Sequence, residues 1–336
     1  KILNYYSLQI TFNECQNFLK QSSYSQKISK QSQTQNINLS IHAKEEMSWG
    51  QNISDQMFLN YVLPQTTITE QADSWRESFY PIFSKEVMHL NQRTASLYIA
   101  KNIKKFLNVS YSHQIRKPDL GTQESISTKK ATCTGLSILL INALRSVCIP
   151  ARMCGIIWRN GGAHNWVEAY YDNSWHMLEY GEHDEDSGWM INRLKLQDFS
   201  QISQKVYATS FIRTNQLFFM SWSCKISEKI KASASQIFHM QCNDNIYAVD
   251  VTERYQKMIE EDDLKFKLKI GVFIKGIQRM SKINVNGEEY ISKKGDYNDL
   301  LQIIVEQGQS VKIQIFGRVT VLTIVQKITI VRFNDG

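Results

Sequence analysis

The sequence predicts an α+β fold: a mixed body of helices and strands followed by a C-terminal antiparallel β-sandwich. Three observations predict it. Leu136, Leu139, Leu140, Ala143, Leu144 and Val147 recur at spacings of three and four, as in a helix with one buried face. His164 to Tyr171 and Trp175 to Glu179 read as two strands around Asp172-Asn173-Ser174, which is turn chemistry. From about Leu264, short alternating runs separated by turn residues repeat to the end of the chain. The changes of pattern place boundaries at 1–85 for a helical N-terminal extension with a polar loop, 86–250 for the core and 251–336 for the sandwich.

The elements follow in order. Ile2 to Phe18 is a mixed apolar segment suited to a helix. In residues 21–40, Gln and Ser fill more than half of the places, so a mobile loop or a solvated helix is expected. Residues 47–83 are dense in aromatics, including Trp49, Phe58, Trp75, Phe79 and Phe83, and read as core. Glu86 to Asn108 reads as one helix with Ala95, Ile99, Ile103 and Phe106 on one face. Asp119 and Glu124, on and after the Arg116–Asp119 loop, are candidate substrate contacts. Met190 to Ile230 reads mainly as helix and loop, with an apolar knot at Phe218, Phe219, Met220 and Trp222. In the sandwich, Leu264 to Ile270 alternates apolar and basic residues, and Asn286-Gly287 marks a hairpin turn.

Composition excludes several classes. With 42% hydrophobic residues and a formal net charge of +7, from 39 Lys plus Arg against 32 Asp plus Glu, the chain reads as a charge-solvated globular protein. No nucleic-acid motif and no 18-residue apolar run is present, so neither a nucleic-acid partner nor a membrane span is expected. The six cysteines form no CxxC pair, which argues against a zinc ribbon, and no EF-hand loop occurs. His42, His113, His176, His183 and His239 lack partners at metal-ligand spacing. No metal or cofactor is therefore expected. Setting Cys133 apart leaves five cysteines, an odd number that argues against a full disulfide framework and leaves room for one or two bridges.

The chemistry concentrates between Lys130 and Trp189. Thr132, Thr134 and Ser137 can cap a helix start, which puts Cys133 at or near a helix N-terminus. Unpaired N–H groups and the helix dipole lower a thiol's pKa there and can hold an oxyanion. His164 follows Gly161-Gly162 and opens a strand, and the acids Glu179, Glu182 and Asp184 come next. A thiol nucleophile needs that set: a base for its proton and a group to orient the base. If Tyr171 opposes Ser174 across a tight turn, Glu179 opposes Trp166, on the same face as His164. Glu182 then opposes Ala163 on the other face, unless a bulge intervenes. Spacing favours Glu179 as the acid, with Glu182 as rival.

The run CTGLSILL…ALRSV…IPAR…HNWVEAYYDNSWH resembles the catalytic core of the transglutaminase-like superfamily, whose members carry a papain-like Cys-His-Asp triad. SWGQNISDQMFLNYVLP, DSWRESFYPIF, LNVSYSHQIRKPD and YAVDVTERY resemble segments of a narrower subgroup, and the matching stretches together span 45–255. The resemblance implies a papain-like core, with Cys133 as nucleophile and His164 as base. The superfamily's Asp position holds Glu179 here, whereas the subgroup's Glu falls on Glu182. Cys148 stands where glycine is usual, and Leu120 where the subgroup often has Gln. The implied activity is thiol-dependent acyl transfer or hydrolysis at a carboxamide of a protein or peptide. The alternative is a catalytically weak fold serving as a peptide-binding or structural module. A protein partner docking on the C-terminal β domain is a further expectation.

Overall fold

The structure is a computed structural model that describes residues 10–21, 29–181, 185–186, 189–228, 238–243, 246–292, 300–326 and 328–335. The chain divides into two compact units, Lys1–Gly188 with Leu196–Glu253, and Trp189–Lys195 with Arg254–Gly336.

The first unit begins with helices α1 (Phe12–Gln21), α2 (Lys30–Glu46), α3 (Asp55–Tyr61), α4 (Trp75–Val87) and α5 (Gln92–Leu107). Strand β1 (Ser110–Tyr111), helix α6 (Thr122–Thr128) and strand β2 (Lys130–Ala131) lead to α7 (Cys133–Ser146). All of α7 is buried except Cys133 and Leu136, which are half-buried. It packs against α2, α4 and α5 and against the sheet. Two buried arginines in this core are met by hydrogen-bond acceptors, as burial demands. The Arg145 guanidinium, fully buried on α7, donates to the carbonyls of Tyr61, Pro64, Thr66 and Ala151 at 2.9–3.3 Å. Arg76 donates to Asn36 Oδ1 at 2.9 Å, Arg145 O at 2.5 Å and Val62 O at 2.8 Å.

Strands β3 (Ala151–Ile157), β4 (Ala163–Tyr171) and β5 (Ser174–Leu178) follow, then, beyond 195, β6 (Tyr207–Ser210), β7 (Gln216–Leu217), β8 (Cys224–Glu228), β9 (Phe238–Cys242) and β10 (Tyr247–Asp250). Six of them form an antiparallel sheet in the order β5-β4-β3-β6-β10-β7, while β8 and β9 pair separately. The hairpin register sets Tyr171 opposite Ser174 and Val167 opposite Leu178. Cys15, Cys133, Cys148 and Cys154 are free thiols, and Cys224 is disulfide-bonded.

The second unit contains α8 (Trp189–Leu194) and most of α9 (Thr252–Leu264), with strands β11 (Phe266–Ile274), β12 (Ile277–Gln278), β13 (Lys282–Val285), β14 (Glu288–Ile291), β15 (Leu301–Val305), β16 (Ser310–Ile315), β17 (Arg318–Thr323) and β18 (Ile328–Asp335). One sheet has the order β14-β13-β16-β17, all antiparallel. In the other, β11 pairs antiparallel with β12 and β15 and parallel with β18. Leu268, Ile270, Val272, Ile283, Val285, Val311, Ile313 and Ile315 fill the space between them, the alternate residues of facing strands.

Three local expectations change. Residues 30–46 form a helix with a buried face, because Asn36 and Lys44 find backbone acceptors at Leu63 and Gly50. The helix expected over 86–108 is two: α4 ends at Val87, and Asn91 caps a fresh start by accepting from Thr94 N at 2.9 Å. The stretch from Met190 to Ile230 holds three strands, β6, β7 and β8, beside the short α8. Among the described residues no helix is long and apolar enough to cross a membrane.

Candidate active site

The first turn of α7 presents the thiol. Thr132 is the N-cap, its hydroxyl accepting from Gly135 N at 3.4 Å and donating to Pro118 O at 2.8 Å. Gly135 is required by close approach, since a Cβ there would lie 2.8 Å from Ala131 Cβ on β2. Two hydroxyls then tie this turn to the strand that carries the histidine. Thr134 Oγ1 donates to Asn165 Oδ1 at 2.9 Å, and Ser137 Oγ to Asn165 O at 3.2 Å. Asn165 also donates through Nδ2 to Cys154 O at 3.2 Å, so it is fixed from both sides. His164 is the residue before it.

The His164 ring is hydrogen-bonded to the Cys133 thiol and, through Nε2, lies 3.3 Å from Glu179 Oε1. Both side chains are mostly shielded, at 17% exposure for His164 and 19% for Glu179. Trp158 and Trp166, both buried, lie nearly parallel to the imidazole with ring centroids 6.2 and 6.0 Å away. Gly161 and Gly162 adopt positive φ in the turn before the strand, which L side chains rarely do.

The electrostatics follow from this arrangement. Burial pushes the Cys133 thiol up, but the hydrogen bond and charge of His164, with the Asn165 N–H and the Thr134 hydroxyl, outweigh it and hold the thiol below its ordinary value. Burial alone would lower His164. The bonds to Cys133 and Glu179, and their negative charges, instead push it up to about 9. The two shifts act in one direction, favouring a thiolate facing an imidazolium over what the isolated groups would show.

The other sequence candidates divide. Glu182 lies outside the described residues. Asp119 is buried and accepts from Thr69 Oγ1 at 2.9 Å, and Glu124 pairs with Arg116 at 2.6 Å. Leu120 is buried. The part played by Asn165 was not read from sequence, although its place between His164 and Trp166 would have pointed to it.

Residues 86–180 match the family described as the Transglutaminase-like superfamily. This stretch is similar to a transglutaminase-like domain. A structure from Cytophaga hutchinsonii to which a cysteine-protease activity has been ascribed is similar at 21% identity, over 32% of this chain and 38% of that one, with a TM-score of 0.28. A structure described as a TGase is similar at 15% identity, over 50% of this chain and 37% of that one, with a TM-score of 0.18. The chain thus spans less than two fifths of each of those proteins. No curated protein matches it.

Proposed function

We propose that the transglutaminase-like domain catalyses thiol-dependent acyl transfer or hydrolysis at a carboxamide of a protein or peptide. The observation that carries this reading is His164, mostly shielded and engaged at once by Cys133 and Glu179. The Cys133 thiolate attacks the carboxamide carbon, and its sulfur–carbon bond forms as the carbonyl π pair moves to oxygen. N–H groups at the α7 N-terminus would stabilise that oxyanion. On collapse the C–N bond breaks, and His164 gives its proton to the departing amine. Water or an amine then attacks the thioester, with neutral His164 taking its proton, and the C–S bond breaks to release the acyl product and return the Cys133 thiolate beside the His164 imidazolium. Glu179 keeps the imidazole oriented and stabilises its charged form.

The test is labelling by a glutamine-peptide electrophile followed by mass spectrometry of the modified peptide. Wild-type protein should be modified once, at Cys133, and turnover of a glutamine peptide should release ammonia. Equal labelling of Cys133→Ala would remove the proposed role. Wild-type protein that binds the peptide without labelling or turnover would favour the alternative of a peptide-binding module.

A further inference from the structure

Next to Asn165 lies a cavity of about 100 Å³. Its walls are largely apolar, formed by Ile157, Ile202, Leu217, Phe218 and Phe219. Ala163 and Asn165, the two neighbours of His164, line it as well. Asn165 is the residue whose N–H reaches the Cys133 sulfur and whose side chain takes the Thr134 hydroxyl. Cavity and nucleophile therefore share a wall.

The cavity is built by a close approach. Gly155 stands opposite Asn165 in the β3–β4 ladder, and a Cβ there would lie 2.7 Å from Asn165 Nδ2 and 2.8 Å from Phe218 Cζ. Glycine lets the Phe218 ring close against the strand. Lys205 is the charged residue in the lining, and its ammonium is 2.9 Å from an Asp250 carboxylate oxygen, so its charge is already met. An apolar pocket without a spare cation penalises a carboxylate and favours hydrocarbon. Dry cavities of about 150 Å³ lined by Leu, Ile and Phe hold benzene. The present volume accordingly suits one aliphatic side chain or much of an aromatic ring.

We propose that this cavity is the subsite for an apolar side chain of the substrate, on the residue adjoining the reacting carboxamide. The proposal rests on the acyl-transfer reading above. It selects peptide substrates with Leu, Met or Phe at that place over those with Gly or Glu.

The experiment measures inactivation of the full chain by acetyl-Xaa-glycine chloromethyl ketones, with Xaa as Leu, Phe, Gly or Glu. The modified peptide is located by mass spectrometry. Each rate is divided by the iodoacetamide rate of the same variant, which cancels changes in the thiolate itself. The normalised rate for Leu should exceed that for Gly by about tenfold or more, the discrimination apolar pockets achieve. Ile202→Glu puts a carboxylate at the wall, and 42% exposure at Ile202 lets the chain accept it. Leu217→Trp fills the space instead. Both variants should bring the Leu-to-Gly ratio towards one. A wild-type ratio near one, with Cys133 still labelled by iodoacetamide, overturns the subsite and leaves the acyl-transfer reading standing. So does a ratio that survives both variants. Failure of iodoacetamide to modify Cys133 overturns the acyl-transfer reading, and the subsite falls with it.

Discussion

Glu179→Gln removes one charge and keeps the side-chain shape. In the structure Glu179 Oε1 lies 3.3 Å from His164 Nε2, with 19% of the side chain exposed. A hydrogen bond to a charged group contributes about 1.5–3 kcal/mol. One pKa unit corresponds to about 1.4 kcal/mol, so His164 should fall by about one to two units from its raised value. The sign is fixed by the direction of the shift. His164 is charged below about 9 and loses its proton as pH rises through that value. The upper limb of the activity profile, which needs imidazolium as acid, should therefore move to lower pH in Glu179→Gln. Loss of the orienting carboxylate should also lower kcat on the order of a hundredfold, less than in serine triads because the contact is long. The assay is ammonia release from a glutamine peptide across pH 5 to 10, with Glu182→Gln beside it. An unmoved upper limb and full turnover in Glu179→Gln would refute the assignment. If Glu182→Gln lost activity instead, the orienting carboxylate would come from beyond Gly181.

Cys133→Ala should abolish labelling and turnover while leaving the circular dichroism spectrum and melting temperature close to wild type, since the side chain is half-buried at a helix end. Arg145→Met should destabilise the fold by about 3–5 kcal/mol in urea unfolding, because carbonyls of four residues lose their donor in the core. Asp262, which bonds Lys195 and Lys267, is raised by burial but held below the usual carboxylate range by those two lysines. Its contribution is present above the ordinary carboxylate pKa and lost as pH falls through the depressed one. The 254–336 unit should therefore melt at lower temperature at pH 3 than at pH 6, and Asp262→Asn should flatten that difference. A fragment of residues 251–336 should give a β-rich circular dichroism spectrum and a cooperative melt, weaker than in the full chain because Lys195 is missing; a disordered fragment would place the boundary elsewhere.

The parts legible in sequence are those where hydrophobic period alone decides the structure. Leu139, Leu140, Ala143 and Leu144 announced α7, and the Tyr171–Ser174 turn announced the hairpin register that puts Glu179 on the face of His164. The sandwich strands were legible for the same reason. Helix α2 was not, because its buried face includes Asn36, Ser40 and Lys44 as well as Ile37 and Ala43. Those polar groups are tolerated because backbone carbonyls accept from them, and the acceptor of Asn36, Leu63 O, lies 27 residues away, beyond any local window. The break between α4 and α5 was missed because the apolar stripe continues across it, and only the Asn91 cap marks the restart. Strands β6 and β7 are four and two residues long, too short for alternation to register. The cavity beside Asn165 is made by residues from four separated segments, so only the fold assembles it.

Glu179 lies one residue beyond the end of β5, where a side chain is normally loose, and the structure answers this with anchors on both sides. After it, Tyr180 donates to Val109 O at 3.1 Å and Gly181 N to Ala100 O at 2.8 Å, which fixes the turn against α5 and the connection that follows it. Further on, Asp186 returns to the strand: its N–H reaches Met177 O at 3.1 Å, and its carboxylate accepts from Met177 N at 2.7 Å and lies 2.7 Å from His176 Nδ1. His176 Nε2 is 2.8 Å from Ser174 Oγ, and its ring stacks on Tyr171 at 4.2 Å. The Tyr171 hydroxyl and Arg93 both bond Glu185. The Ser174, His176 and Asp186 contacts have the connectivity of a hydrolase triad, yet Ser174 is exposed in the hairpin turn and one Asp186 oxygen is occupied by backbone. Their place in the chain gives them a different task. They close the loop that begins at Glu179, so a glutamate, one methylene longer than aspartate, is steered onto Nε2 by its surroundings and not by its own stiffness. Asp186→Asn should then loosen Glu179 without touching the site, lowering turnover while leaving the site of iodoacetamide labelling at Cys133.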